Sequence, residues 1–282
     1  MIDFTIHRFK IPWKLGQVQY LLPFGDVHEG SPAHHKEKWN EFLKWAESKK
    51  DAYFIGMGDY FDLMSTSENK KIKQACLHDS TLETLDEIYN EQVLRFFNRI
   101  RFMKGKLLGL LEGNHHSEFQ DGTTSTQRLC ILLGCKYLGW SSLIRMSFVE
   151  KERSLTKLDI YAHHGKGGAS KQVGASVNHV QSMNQVADAQ IYLMGHDHAK
   201  IVGMSDKLYL TDGNGHLNIR PQKVVYARTG SFLKGYDPEK SSYVARGIMR
   251  PSNIGAIKIE LTCKNKSVGS YERNYADIHV SL

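Results

Sequence analysis

VQYLLPFGDVHEG, residues 18–30, is a short apolar run closed by Gly25 and followed by an aspartate and a histidine two positions apart. The run has the length and composition of a buried strand, and a glycine at its end lets the chain turn sharply. The same construction recurs four times. AYFIGM leads to Gly58 and Asp59, KLLGLLE to Gly113, Asn114 and His115, LDIYA to His163, His164 and Gly165, and QIYLM to Gly195, His196, Asp197 and His198.

Between these runs lie segments with helical spacing. In STLETLDEIYNEQVLRFFNRIRFMKG, Ser80 and Glu83 have the spacing of a capping box. Leu82, Leu85, Ile88, Tyr89, Val93, Phe96 and Ile100 trace one apolar face that ends near Gly105. KEKWNEFLKWAESKK is a second such helix. Strands alternating with helices predict an α/β layered architecture. After about Thr211 the pattern changes to short strand-like pieces, KVVYART and NIGAIKIEL, with no linker or repeat to set them apart. Residues 1–282 are therefore expected to form a single domain, with the motifs in about 17–200 and C-terminal strands in 205–282 completing a second sheet.

The 282 residues, 41% of them hydrophobic, suffice for a substantial core. No stretch approaches the ~20 apolar residues of a membrane span, and MIDFTIHRFKIPWKL is too polar for a secretory leader, so a cytoplasmic protein with no membrane partner is expected. Cys76, Cys130, Cys135 and Cys263 have no spacing that suits a zinc knuckle or a redox motif, and are read as reduced and mostly buried. The net charge of +7 favours anionic partners. Of the 14 histidines, half lie in tight groups or beside a Gly-Asp: His28, His115, His116, His163, His164, His196 and His198.

Each of the five runs delivers a metal-capable side chain at its C-terminal end. That edge is where open α/β sheets bind ligands, so five separate segments are expected to converge on one crevice. In extended chain, residues two apart point the same way, which pairs Asp26 with His28 and His196 with His198. Asp26, His28, Asp59, Asn114, one of His163 and His164, His196 and His198 exceed what one four-coordinate ion can use. Two ions sharing a carboxylate can use them all. Oxygen and imidazole donors without thiolate suit Mn, Fe, Zn, Ni or Co.

In that order, GDVHEG, GDYFD, GNHH, HHG and GHDH resemble the five motifs of the calcineurin-like metallophosphoesterase family, over roughly Gly25 to His198. The resemblance implies a four-layer α/β/β/α sandwich, two mixed sheets flanked by helices, and a centre of two divalent metal ions, manganese foremost. It implies one ion on Asp26, His28, Asp59 and His198 and the other on Asp59, Asn114, His164 and His196, with Asp59 bridging. The glycine after His164 favours it over His163. The implied reaction is attack of a metal-bridging hydroxide on a phosphate ester, with His115 assisting the leaving group. His116 stands where family members often carry Asp or Glu, so a carboxylate supporting His115 is either missing or supplied from elsewhere. HHGKGG and TGSFLKGY also resemble the small bacteriophage and bacterial members of the family.

The expected substrate is an anionic phosphoester, a phosphodiester ahead of a monoester on a small molecule or phosphoprotein. A non-catalytic metal-binding interaction module is the reading from another class. GKGGASKQVGASVNH is expected to be a glycine-rich loop in which Lys166 and Lys171, beside His163 and His116, touch the substrate or simply face solvent. Arg220, Lys223, Arg228, Lys234, Arg246 and Arg250, interleaved with Tyr226, Phe232, Tyr236 and Tyr243, offer a basic and aromatic strip suited to DNA or RNA. Alternation within KVVYART would bury half of those aromatics. Asp197 is expected to orient an imidazole or face solvent, and Asp62 to be local structure or support for the site. His7, His34, His35, His78, His179, His216 and His279 are read as surface or core residues.

Overall fold

All five apolar runs are strands. The computed structural model describes residues 2–282 apart from 63, 65, 152, 167–171, 214–215, 240–244, 246–250, 252 and 269–270. In chain order the elements are β1 (Phe4–Pro12), β2 (Val18–Phe24), α1 (Lys36–Glu47), β3 (Ala52–Gly56), α2 (Thr66–Gln74), α3 (Asp79–Ile100), β4 (Leu107–Leu110), α4 (Ser125–Leu133), β5 (Lys136–Tyr137), β6 (Ser141–Glu150), β7 (Arg153–His163), α5 (Val173–Gln181), β8 (Ile191–Met194), β9 (Lys200–Gly213), β10 (His216–Ser231), β11 (Gly255–Ala256), β12 (Lys258–Val268) and β13 (Tyr271–Ser281).

Two mixed sheets result. One runs β13-β12-β2-β3-β4-β5, with β2 to β5 parallel and β12 antiparallel to both β2 and β13. The other runs β1-β6-β7-β8-β10-β11, with β9 paired to β10; β8 is parallel to β7 and to β10. The inner strands β2, β3, β4 and β8 are continuous apolar runs because both of their faces are covered. Leu21, Ile55 and Leu108 from the first sheet meet Ile160, Ile191, Leu193 and Val225 from the second in one apolar core. On the far side of the first sheet, Leu22, Phe24 and Phe54 pack against Trp39 of α1, Val93 and Phe96 of α3, and Leu129 of α4. On the far side of the second, Tyr161, Tyr192 and Tyr226 pack against Val180 of α5. The stacking of both sheets brings the C-terminal ends of β2, β3 and β4 opposite those of β7 and β8.

Four expectations are corrected. α3 starts ahead of Ser80: His78 is its N-cap and accepts the Ser80 N–H, so the expected Ser80 and Glu83 capping box does not begin the helix. Ile88 is exposed, because the buried stripe of α3 is the narrower set Tyr89, Val93, Phe96 and Ile100. The segment 173–181, expected as part of a loop, is α5, with Ser176 and Val180 spaced four apart and buried; Lys171 lies outside the described residues. The C-terminal strands divide between the sheets, β9 to β11 completing the second and β12 with β13 crossing back to the first.

Candidate metal centre

Asp26 and His28 follow β2, Asp59 follows β3, and Asn114 follows β4. His164 follows β7, and His196 and His198 follow β8. Of the seven non-glycine residues with positive φ among the described residues, five belong to this set: Asp26, His28, Asp59, His196 and His198. A side chain in the left-handed region costs about 1–2 kcal/mol, so the surrounding structure must impose it. The same angles correct one argument from the sequence. Asp26, His28, His196 and His198 are not in extended chain, and they do not reach the site by period-two alternation.

Glycine makes the approach possible. A Cβ on Gly113 would lie 2.1 Å from Asp59 Oδ1, and one on Gly58, where φ is +98°, would lie 2.4 Å from His164 Nδ1. Both carboxylates are then gripped by backbone across the cluster: Asp59 Oδ1 accepts the His115 N–H (2.9 Å) and Asp26 Oδ2 accepts the His196 N–H (2.9 Å).

Three groups of side chains bring their donor atoms within 4.8 Å of one another: Asp26, His28 and His198; Asp59, His164 and His196; and His28, Asp59 and His115. His28 Nε2 faces His198 Nε2 at 3.3 Å, His164 Nε2 lies 3.4 Å from Asp59 Oδ2, and Asn114 Oδ1 lies 3.0 Å from His164 Nε2 and 2.8 Å from His196 Nδ1. His196 and His198 thus belong to different groups. Asp26, His28, Asp59, His164 and His198 are buried, while Asn114, His115 and His196 are partly open and form the mouth.

The donor set fits divalent cations. Asp26 Oδ1 and His28 Nδ1 are buried with no hydrogen-bond partner among the described residues; their nearest counter-groups, on His198 and Asp62, lie at 3.6 Å, too far for a hydrogen bond. Burial pushes Asp26 up to about 7, against the pull of His164 and His28. Burial works the same way on Asp59, but the imidazoles of His164, His28 and His115 outweigh it and hold that carboxyl well below the usual range. Carboxylates taken this far from water need compensating positive charge.

His164 rather than His163 enters the cluster, its Nδ1 fixed by the Met57 carbonyl (2.7 Å). His163 Nδ1 accepts the Gly165 N–H (2.7 Å), and burial, with the charges of His164 and Lys166, lowers its pKa to about 4. His116 is buried, with Nδ1 bonded to the Gly113 carbonyl (2.7 Å), so it shapes the turn. Lys166 is exposed.

Asp62 supplies the support that His115 lacks at position 116: its Oδ1 accepts from His115 Nδ1 at 2.9 Å. Burial favours loss of the His115 proton, but the bond to Asp62 and the charge of Asp59 outweigh burial and raise its pKa. Asp197 neither orients an imidazole of the cluster nor faces solvent. It pairs with buried Arg228 (3.3 Å) and accepts from Ser176 Oγ (2.6 Å) and Ala199 N–H (3.0 Å). Arg228 also donates to the Gly195 carbonyl (2.7 Å), which fixes the loop carrying His196 and His198 to β10. Sequence reading took Arg228 for a surface cation because nothing local marks it as buried.

The basic and aromatic strip is not a continuous surface. Tyr226, Arg228 and Phe232 are buried, Lys223 is bonded to the Ile278 carbonyl, and Lys234 pairs with Asp237. Tyr243, Arg246 and Arg250 lie outside the described residues. The four cysteines are free, Cys76 exposed and Cys130 and Cys263 buried. No helix among the described residues is long and apolar enough to cross a membrane. A scan against protein-family models finds no match to the chain, and a search of curated proteins finds none either.

Proposed function

We propose that the chain is a metal-dependent phosphoesterase with a dinuclear centre. One observation carries the reading: two His/Asp groups stand side by side at converging strand ends, and the third, built on His28 and Asp59, joins them. The helix, sheet, sheet, helix order is in keeping with the four-layer sandwich that the five motifs imply.

Asp26, His28, Asp59 and His198 would hold one divalent ion, and Asp59, Asn114, His164 and His196 the other. Bound there, such a pair supplies Lewis-acid polarisation of a phosphoryl oxygen and a nucleophile from water near neutral pH. The chain's own residues do the rest. Asn114, His115 and His196 at the mouth meet the incoming ester. His115, its Nδ1 engaged by Asp62, keeps Nε2 as the nitrogen that can hand a proton to the departing oxygen. The bond to Asp62 and the charge of Asp59 favour the protonated imidazole. The net charge of +7 favours an anionic ester of either kind, and of the strip's described basic residues Arg228 is buried while Lys223 and Lys234 are engaged, so the choice between diester and monoester is left to the assay.

The test is hydrolysis of bis-p-nitrophenyl phosphate and p-nitrophenyl phosphate by metal-stripped protein given Mn²⁺, Ni²⁺, Zn²⁺ or Mg²⁺. Activity restored by a metal supports the reading, and the faster substrate separates diesterase from monoesterase. Silence with every metal, while two ions per chain still bind, would leave the metal-binding interaction module.

A further inference from the structure

The β9–β10 hairpin outruns the sheet it belongs to. β8 pairs with β10 only at residues 225–228, whereas β9 accompanies β10 from His216 to Thr229. Residues 205–213 and 216–222 therefore form a two-stranded ribbon with no other strand beside it among the described residues. The ribbon points away from the metal cluster. Arg228 is level with Met194, at the cluster end of β8, and Ile219 lies about 30 Å back along the strand at ~3.3 Å per residue.

Its two faces differ. Cross-strand register and alternation put Met204, Leu208, Leu210, Leu217, Ile219 and Pro221 on one face, and Lys207, Tyr209, Arg220 and Gln222 on the other. The apolar face continues the core between the sheets, where Val225 and Ala227 are fully buried. Lys223, bonded to the Ile278 carbonyl of β13 (2.9 Å), marks the end of that cover. Beyond it Leu208 is 71% exposed, Leu210 73%, Leu217 74% and Ile219 67%. This is a stretch of sandwich core without its second layer.

We propose that the covering layer is the same ribbon of a second copy, packed face to face about two-fold symmetry to make a dimer. Four side chains at this exposure present on the order of 500 Å² of apolar surface, at the upper end of what a monomer leaves open. Two such faces together reach the ~1,000 Å² that a specific interface requires. A two-fold contact needs a patch that complements itself, and an apolar ribbon face meets that condition at the ~10 Å spacing of stacked sheets. Pro221 fits face packing better than strand addition, because it denies the free edge of β10 one backbone donor.

The full chain should be a dimer by sedimentation equilibrium and light scattering at micromolar concentration. Leu210→Lys combined with Ile219→Lys, two opposed residues of the ribbon, should weaken the dimer by roughly 100-fold or more and leave metal content unchanged. A monomeric wild type, or a dimer indifferent to the double substitution, overturns the proposal. So does a monomer that sediments with phosphatidylserine vesicles, which would make the patch a membrane contact. If the double variant melts early, Leu217→Ser is read instead: a tenfold weaker dimer supports the proposal, and an unchanged one overturns it.

Discussion

Asp26, His28, Asp59 and Asn114 stand at strand ends of the six-stranded sheet, whereas His164, His196 and His198 stand at those of its partner. The first half thus brings both carboxylates and the amide, and the second brings imidazole alone. Their supports differ as well. Asp59 is held by close backbone, with Gly113 against its carboxylate, while the His196 and His198 loop is held by the buried Arg228 and Asp197 pair. Neither sheet alone carries a set balanced in charge, so closure of the two layers and assembly of the site are one event. The exchange of bonds across the seam, from the His196 N–H to Asp26 and from His164 Nδ1 to the Met57 carbonyl, ties the halves together.

Asp59→Asn attacks the carboxylate that the two halves share. It should lower hydrolysis by on the order of 1,000-fold and reduce bound metal below two per chain by elemental analysis. Full activity in that variant would break the comparison at its centre. Arg228→Met strikes the support of the imidazole half and strands Asp197 in the interior. Losing one partner of a buried pair should cost about 3–5 kcal/mol in denaturant unfolding. A loss below ~1 kcal/mol would mean that the loop is held some other way. His164→Ala should weaken metal binding by about 10- to 100-fold, and His163→Ala should leave stoichiometry at two; the opposite pattern reverses the assignment. Asp62→Asn is the mildest. It should slow turnover about tenfold without changing metal content, and lower the pH at which activity falls on the alkaline side, because it removes a group that raises the His115 pKa.

The carboxylate half was nearly legible in the sequence. Each candidate ligand there sits within three residues of a glycine that follows an apolar strand, and both signals are local. The support of the other half was not, since burial of Arg228 depends on α5 covering a strand from the opposite side. Asp197 was misjudged for the same reason: its partner is 31 positions away. Asp62 was assigned only loosely, because its bond to His115 crosses from β3 to β4. The ribbon escaped notice because alternation in residues 204–221 reads like any half-buried strand, and only the register shows that its apolar side outruns the cover. The cap of α3 was missed because a histidine accepting a backbone N–H looks like any surface histidine.

β2, which ends in Asp26 and His28, is flanked by β3 on one side and by β12 on the other, and β12 begins 240 residues after β2 does. During synthesis this central strand is an open edge until β12 has left the ribosome. Sheet pairings across such long separations form slowly, and an unpaired apolar edge invites neighbouring chains to add to it. The yield of native protein should therefore depend on temperature and on holding factors far more steeply than the stability of the finished molecule does, and a chain stopped just before Lys258 should aggregate even though every residue of the candidate metal centre has already been made.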